Sequence, residues 1–157
     1  MEDMYQNAGR ILDMLRQVEL VLAELYRRFS RSFVQDRVFW EDLSRDEESH
    51  AAIAEELKTA LLKNGFPFEL GKASLVALNA HRQGVESQLN RLEKGEIQRQ
   101  NAFYIARDFE RTLIERSFYD LIRSEKPGYK ELQARIRRET EIHLQKLENT
   151  IKTLFLF

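Results

Sequence analysis

The chain has 157 residues, enough to bury a substantial core as one domain without disulfides. It carries 25 Lys and Arg against 26 Asp and Glu. That balance gives no electrostatic reason to expect nucleic acid or an anionic membrane as partner, and clusters such as Arg135 to Arg138 read as solvated helix faces. Cysteine is absent, which excludes disulfides, thiolate metal sites and iron–sulfur clusters. The opening MEDMYQNAGR shows no basic leader before an apolar run, and no window approaches the roughly 18 uninterrupted apolar residues of a spanning helix. A cytoplasmic location without membrane contact is therefore expected.

Only six glycines and two prolines interrupt the chain, and between them the apolar period is 3.6 throughout. The first run, about 4–33, aligns Leu12, Leu15, Glu19, Leu22, Tyr26, Phe29 and Phe33 on one stripe. The second, about Arg37 to Asn64, puts Glu47 and His50 in line with Trp40, Leu43, Ala54 and Leu57. Asn64-Gly65 followed by Pro67 is its stop signal. A crossover over 65–95 contains a helix from Ser74 to Glu93. A third run extends from Ile97 to Arg123, Lys126-Pro127-Gly128 forms a turn, and a fourth run covers Tyr129 to about Phe155. The expected fold is all-α: two helical hairpins, about 4–64 and 96–155, each helix roughly 40 Å long, joined by a crossover that has its own helix. The apolar tail Ile151 to Phe157 is expected to pack on the bundle or on another subunit, and His81 to lie on the surface of the crossover.

The two hairpins repeat. An offset of 93 residues places Tyr26 on Tyr119, His50 on His143, Leu43 on Ile136 and Phe39 on Leu132. It also places Glu19 on Thr112 and Glu47 on Thr140. The aromatic and histidine skeleton recurs, while two carboxylates become threonines.

Residues three apart share a helix face, so Glu47 and His50 point into the same interior as Glu19. Isolated buried carboxylates suffer a large desolvation penalty, and several on converging stripes imply a cation or a hydrogen-bonded network. Tyr26 fits either a donor to a ligating carboxylate or an ordinary core tyrosine. Asp46 fits either an acceptor for the free nitrogen of His50 or a solvated flank, and Glu48 reads as surface. His143 fits either a metal ligand or a hydrogen-bonded core histidine. The Gly71-Lys72 pair lacks the glycine spacing of a phosphate loop.

The pattern Glu19-x6-Tyr26 followed by Glu47-x-x-His50 resembles the rubrerythrin branch of the ferritin-like superfamily. The motif match is confined to residues 19–57; helix lengths, repeat and crossover carry the likeness over the rest of the chain. In that family each half contributes a glutamate and a Glu-x-x-His pair, and four helices enclose two irons. The resemblance therefore implies Glu19, Glu47, His50 and His143 as ligands and Tyr26 and Tyr119 as their hydrogen-bonding supports. Glu110, Glu115 and Glu139 are candidates to replace the carboxylates missing at Thr112 and Thr140. It implies a diiron oxidoreductase or iron-handling protein reacting with dioxygen or peroxide, with manganese or zinc as other metals such donors accept. A homodimer or larger homo-oligomer and an external electron donor are implied too, since a chain without cysteine has no rubredoxin module. The competing reading is a bundle that has lost its complete site, holds no metal, and serves as a structural or interaction protein.

Overall fold

The computed structural model describes residues 2–71 and 75–156; the expected helix start at Ser74 and the last residue of the apolar tail, Phe157, lie outside these. The described residues form five α-helices: α1 (Glu2–Ser32), α2 (Arg37–Asn64), α3 (Leu75–Glu93), α4 (Arg99–Glu115) and α5 (Pro127–Phe155). Two short strands, β1 (Glu69–Leu70) and β2 (Ile122–Arg123), complete the described elements. Among the described residues the regular structure is thus all-helical apart from a two-stranded ribbon, as the 3.6-residue periodicity predicts.

The hairpin of α1 and α2 forms because both helices have a continuous apolar stripe. Leu12, Leu15, Val18, Leu22, Leu25 and Phe29 of α1 are buried with Trp40, Leu43, Leu57 and Leu61 of α2. Gly65 ends α2 in the left-handed conformation (φ 59°), its N–H donating to the Leu61 carbonyl. Pro127 opens α5 in its first turn, where no intrahelical N–H is lost. Helix α5 packs on α4 and α2, and α3 lies along α1. The Trp40 ring sits 4.8 Å from Phe103, 4.9 Å from Phe29 and 5.7 Å from Tyr26, an aromatic plug joining three helices. The tail from Ile151 to Phe155 packs back on its own bundle, with Phe155 5.6 Å from Phe103.

Two expectations are corrected. The third run does not continue as helix to Arg123. Helix α4 stops at Glu115, Ser117 turns left-handed (φ 51°), and a single 3-10 turn, Phe118–Asp120, leads into β2. The cause is the crossover, whose β1 pairs antiparallel with β2 in the register Glu69↔Arg123 and Leu70↔Ile122. There the Gly71 N–H donates to the Leu121 carbonyl at 2.6 Å, and a Cβ on Gly71 would overlap the Asp120 carbonyl oxygen, so only glycine fits. Gln133 of α5 clamps the same turn by donating to the carbonyls of Tyr119 (2.9 Å) and Ile122. Second, His81 is buried rather than on the crossover surface. It shares the inward face of α3 with Leu78 and Val85, and its ring meets Phe109 and Phe118 edge-on at 5.3 and 5.7 Å.

Candidate metal centre

Where α1, α2, α4 and α5 converge, five ionisable side chains share one buried space. Glu19 (α1), Glu47 and His50 (α2) and Glu110 (α4) are fully buried, and His143 (α5) is 3% exposed. Glu47 lies between the two imidazoles: its Oε2 is 3.4 Å from His50 Nδ1, and its Oε1 is 3.0 Å from His143 Nδ1. Glu19 Oε2 stands 3.7 Å from His50 Nδ1, and Glu110 Oε1 the same distance from His143 Nδ1. The imidazoles stack with centroids 5.5 Å apart. Glu19 Oε2, Glu47 Oε2, Glu110 Oε2 and His50 Nδ1 are all buried without a hydrogen-bond partner. Leaving one such group unsatisfied costs about 1–3 kcal/mol and more when it is charged, so four in one cluster call for a common partner. Ligand atoms of Glu47, His50 and His143 lie within 4.8 Å of one another, and this group could hold a metal ion.

The surroundings aim these atoms inward, and they do so across the repeat. Nε2 of His50 lies 3.2 Å from Glu139, and Nε2 of His143 lies 3.0 Å from Asp46. A carboxylate on Nε2 keeps a proton there and aims Nδ1 at the cluster, where it offers a lone pair once its own proton is displaced. The Tyr26 hydroxyl donates to Glu110 Oε1 (2.9 Å) and the Tyr119 hydroxyl to Glu19 Oε1 (2.7 Å). Each half thus supplies the tyrosine and the outer acid that serve the other half, and both Oε2 atoms stay free.

Charge in this space is set by burial and proximity. Burial alone would raise the Glu19 carboxyl, but its bonds with Glu47, His50 and Tyr119 and the charge of His50 outweigh that and hold it down at about 2. Glu47 is pushed well above the usual carboxylate range by burial and by the neighbouring Glu110 and Glu19 charges. Between the two, Glu47 keeps the proton. Burial disfavours charge on His50, yet Glu19 and Glu47 raise it to about 12; on His143 the bonds and charges of Glu110 and Glu47 overcome burial and raise it to about 11. In the metal-free protein both imidazoles are therefore cationic, and a bound metal must displace their Nδ1 protons.

The remaining sequence candidates fall elsewhere. Glu115 is exposed at the end of α4, outside the cluster. Glu139 is on the far nitrogen of His50 and also accepts from Arg135 (2.8 Å), which makes it an orienting residue rather than a replacement for Thr140. Thr112 is half-buried, its hydroxyl donating to the Asp108 carbonyl of its own helix (2.8 Å). Thr140 is fully buried, with Oγ1 3.0 Å from the Tyr119 hydroxyl and 2.9 Å from the Ile136 carbonyl.

A change of register explains why Glu110, and not position 112, corresponds to Glu19. Along α4 the buried residues Phe103, Ala106, Glu110 and Leu113 match Leu12, Leu15, Glu19 and Leu22 at an offset of 91, whereas Tyr119 and α5 follow an offset of 93. The break after Glu115 absorbs the two extra residues. The role of Asp46 on His143 is the feature that sequence reasoning missed. A signal existed, because the offset of 93 places Asp46 on Glu139, keeping an acid in both halves.

Fold and site together define a helical protein with a buried carboxylate and imidazole group fit for a metal ion. The chain matches no protein-family model, no curated protein and no solved structure. No helix among the described residues is long and apolar enough to cross a membrane.

Proposed function

We propose that the chain is a ferritin-like, rubrerythrin-type protein in which α1, α2, α4 and α5 form a four-helix bundle around a pair of iron ions. The observation that carries this reading is the convergence of four buried ligand atoms without a hydrogen-bond partner, Glu19 Oε2, Glu47 Oε2, Glu110 Oε2 and His50 Nδ1. Glu19 and His50 would hold one ion and Glu110 and His143 the other, with Glu47 between the two imidazoles, one oxygen toward each. Iron(II) bound there would supply electrons to dioxygen or peroxide, and manganese or zinc suits the same donors. Asp46 and Glu139 hold the Nε2 protons, while Tyr26 and Tyr119 occupy the outer carboxylate oxygens, so the chain fixes each ligand's direction before a metal arrives. With no cysteine in the chain, re-reduction is assigned to an external electron donor. The protein acts in the cytoplasm as a homodimer or larger homo-oligomer.

Elemental analysis of protein produced with iron, manganese and zinc available tests the reading. Wild-type protein should carry at least one metal ion per chain, and Glu47→Ala and His50→Ala little. Equal metal content in all three would end it. A second reading, a structural or interaction bundle without a metal, draws on His143, whose two nitrogens already have carboxylate partners. It requires that wild-type protein bind none.

A further inference from the structure

Helix α3 carries a stripe of small residues. Positions 77, 80, 81 and 84 follow the i, i+3, i+4, i+7 spacing of one helix face, and Ala77, Ala80 and Gly84 offer at most a methyl group there. Opposite them α4 and the 3-10 turn present Phe109 and Phe118. Small residues on one side and rings on the other leave a pocket of about 330 Å³, at the lower end of the range that holds small organic ligands. His81 closes its inner end, with its ring edge-on to both phenylalanines. Its Nε2 is buried without a hydrogen-bond partner, a polar atom that a core built for packing alone would have satisfied or replaced.

Arg116 stands at the outer end. It is exposed, and among the described residues its guanidinium has no hydrogen-bond or ion-pair partner. The other polar groups of the lining are committed: the Asp108 carboxylate accepts from Arg107 at 3.0 and 3.1 Å, and the Thr112 hydroxyl donates to the Asp108 carbonyl. Burial lowers the proton affinity of His81; the charges of Glu19 and Glu110 oppose this and that of Arg116 adds to it. The pocket therefore has apolar walls, an unpaired positive charge at its mouth and negative charges behind its inner end. A singly charged anion with an apolar body enters such a space in one orientation, body inward and charge outward.

Independently of the metal reading, we propose that the pocket between α3 and α4 binds a small aromatic carboxylate, its carboxylate paired with Arg116 and its ring against Phe109, Phe118 and His81. A flat ring suits the face of Ala77, Ala80 and Gly84, where no side chain projects beyond Cβ, and gains ring contacts from the opposite wall. The guanidinium offers a carboxylate two parallel donors.

The test follows 4-fluorobenzoate by fluorine NMR as the full chain is added. Wild-type protein should broaden its signal saturably, through a single site. Arg116→Gln should weaken binding about tenfold or more, the scale of a hydrogen bond between charged groups, and neutral 4-fluorobenzyl alcohol should bind wild-type protein more weakly by a similar factor. Arg111→Gln removes the same charge from α4 outside the pocket, where Arg111 pairs with Glu148 at 3.0 Å, and should leave the affinity unchanged. Gly84→Leu should abolish binding by filling the pocket; leucine is favoured over glycine within a helix, and circular dichroism checks that the helices are retained. If that variant does not fold, Arg116→Gln decides, since Arg116 is exposed and unpaired. No saturable broadening by wild-type protein, or equal affinity in wild type and Arg116→Gln, would overturn the proposal.

Discussion

Replacing Glu47 by glutamine separates the metal-free state from the metal-bound one. Without metal Glu47 holds a proton, raised well above the usual carboxylate range by burial and by Glu110 and Glu19. Glutamine is close to isosteric with that protonated acid. Its carbonyl oxygen can accept from His143 Nδ1 at the present 3.0 Å, and its amide takes the place of the protonated Oε2. The exchange is one neutral hydrogen-bonding group for another, so the change in stability should stay within about 1 kcal/mol. Metal binding needs the anionic form between the two imidazoles, and an amide cannot supply it. Loss of this ligand should weaken binding at least about 100-fold, or about 2.7 kcal/mol. Denaturant melts in chelator and Mn(II) titrations, each on wild type and Glu47→Gln, measure the two quantities. A variant destabilised by about 3 kcal/mol or more in chelator would mean that Glu47 is ionised there and that breaking a buried ion pair is the dominant cost. Unchanged Mn(II) affinity would refute the ligand role.

Further outcomes follow from the same geometry. Asp46→Asn and Glu139→Gln should each leave the fold intact yet lower metal affinity about 10-fold, because the acceptors on His143 and His50 lose the negative charge that fixes the Nε2 proton and raises the basicity of Nδ1; calorimetric metal titration reads this directly. In chelator the protein should melt at lower temperature as pH rises. His50 and His143 bind protons in the folded state up to about 12 and 11, against 6.5 when unfolded, so their stabilisation is complete below about 6.5 and is lost through the alkaline range. Metal affinity should rise over that same range, with protons released on binding. A flat melting profile between pH 6 and 10 in chelator would contradict the cationic histidines. Gly71→Ala should cost about 1–3 kcal/mol by overpacking against Asp120, measured by urea unfolding.

Much of the helical layout is legible in single residues, because local chemistry decides it. Asn64-Gly65 marks a left-handed helix stop and Pro127 a helix start, and neither needs a distant partner. Glu47 and His50 stand out for a similar reason: three residues apart on an apolar stripe, they share a face in any helix. Features set by packing between helices are harder to read. The end of α4 at Glu115 depends on the ribbon with β1 and on Gly71, some fifty residues earlier in the chain. That break shifts the register by two residues and moves the partner of Glu19 from 112 to 110, which a repeat search at one fixed offset does not detect. His81 is buried because α3 docks through the Leu78 and Val85 face, which also carries it. Asp46 and Glu139 gain their roles only when α2 and α5 lie side by side, since each serves the histidine of the other helix.

The central claim is that Glu19, Glu47, His50, Glu110 and His143 are metal ligands. Anomalous diffraction from crystals grown with Mn(II) or iron, recorded at the metal's absorption edge, tests it most directly. The account predicts a strong anomalous peak between Glu19, Glu47 and His50, about 2.0–2.3 Å from His50 Nδ1 on the scale of metal–imidazole bonds, with Asp46 and Glu139 still on the Nε2 atoms. A second peak is expected beside Glu110 and His143. Crystals of metal-treated protein with no anomalous peak in this cluster, and both imidazoles still ion-paired through Nδ1, would contradict it.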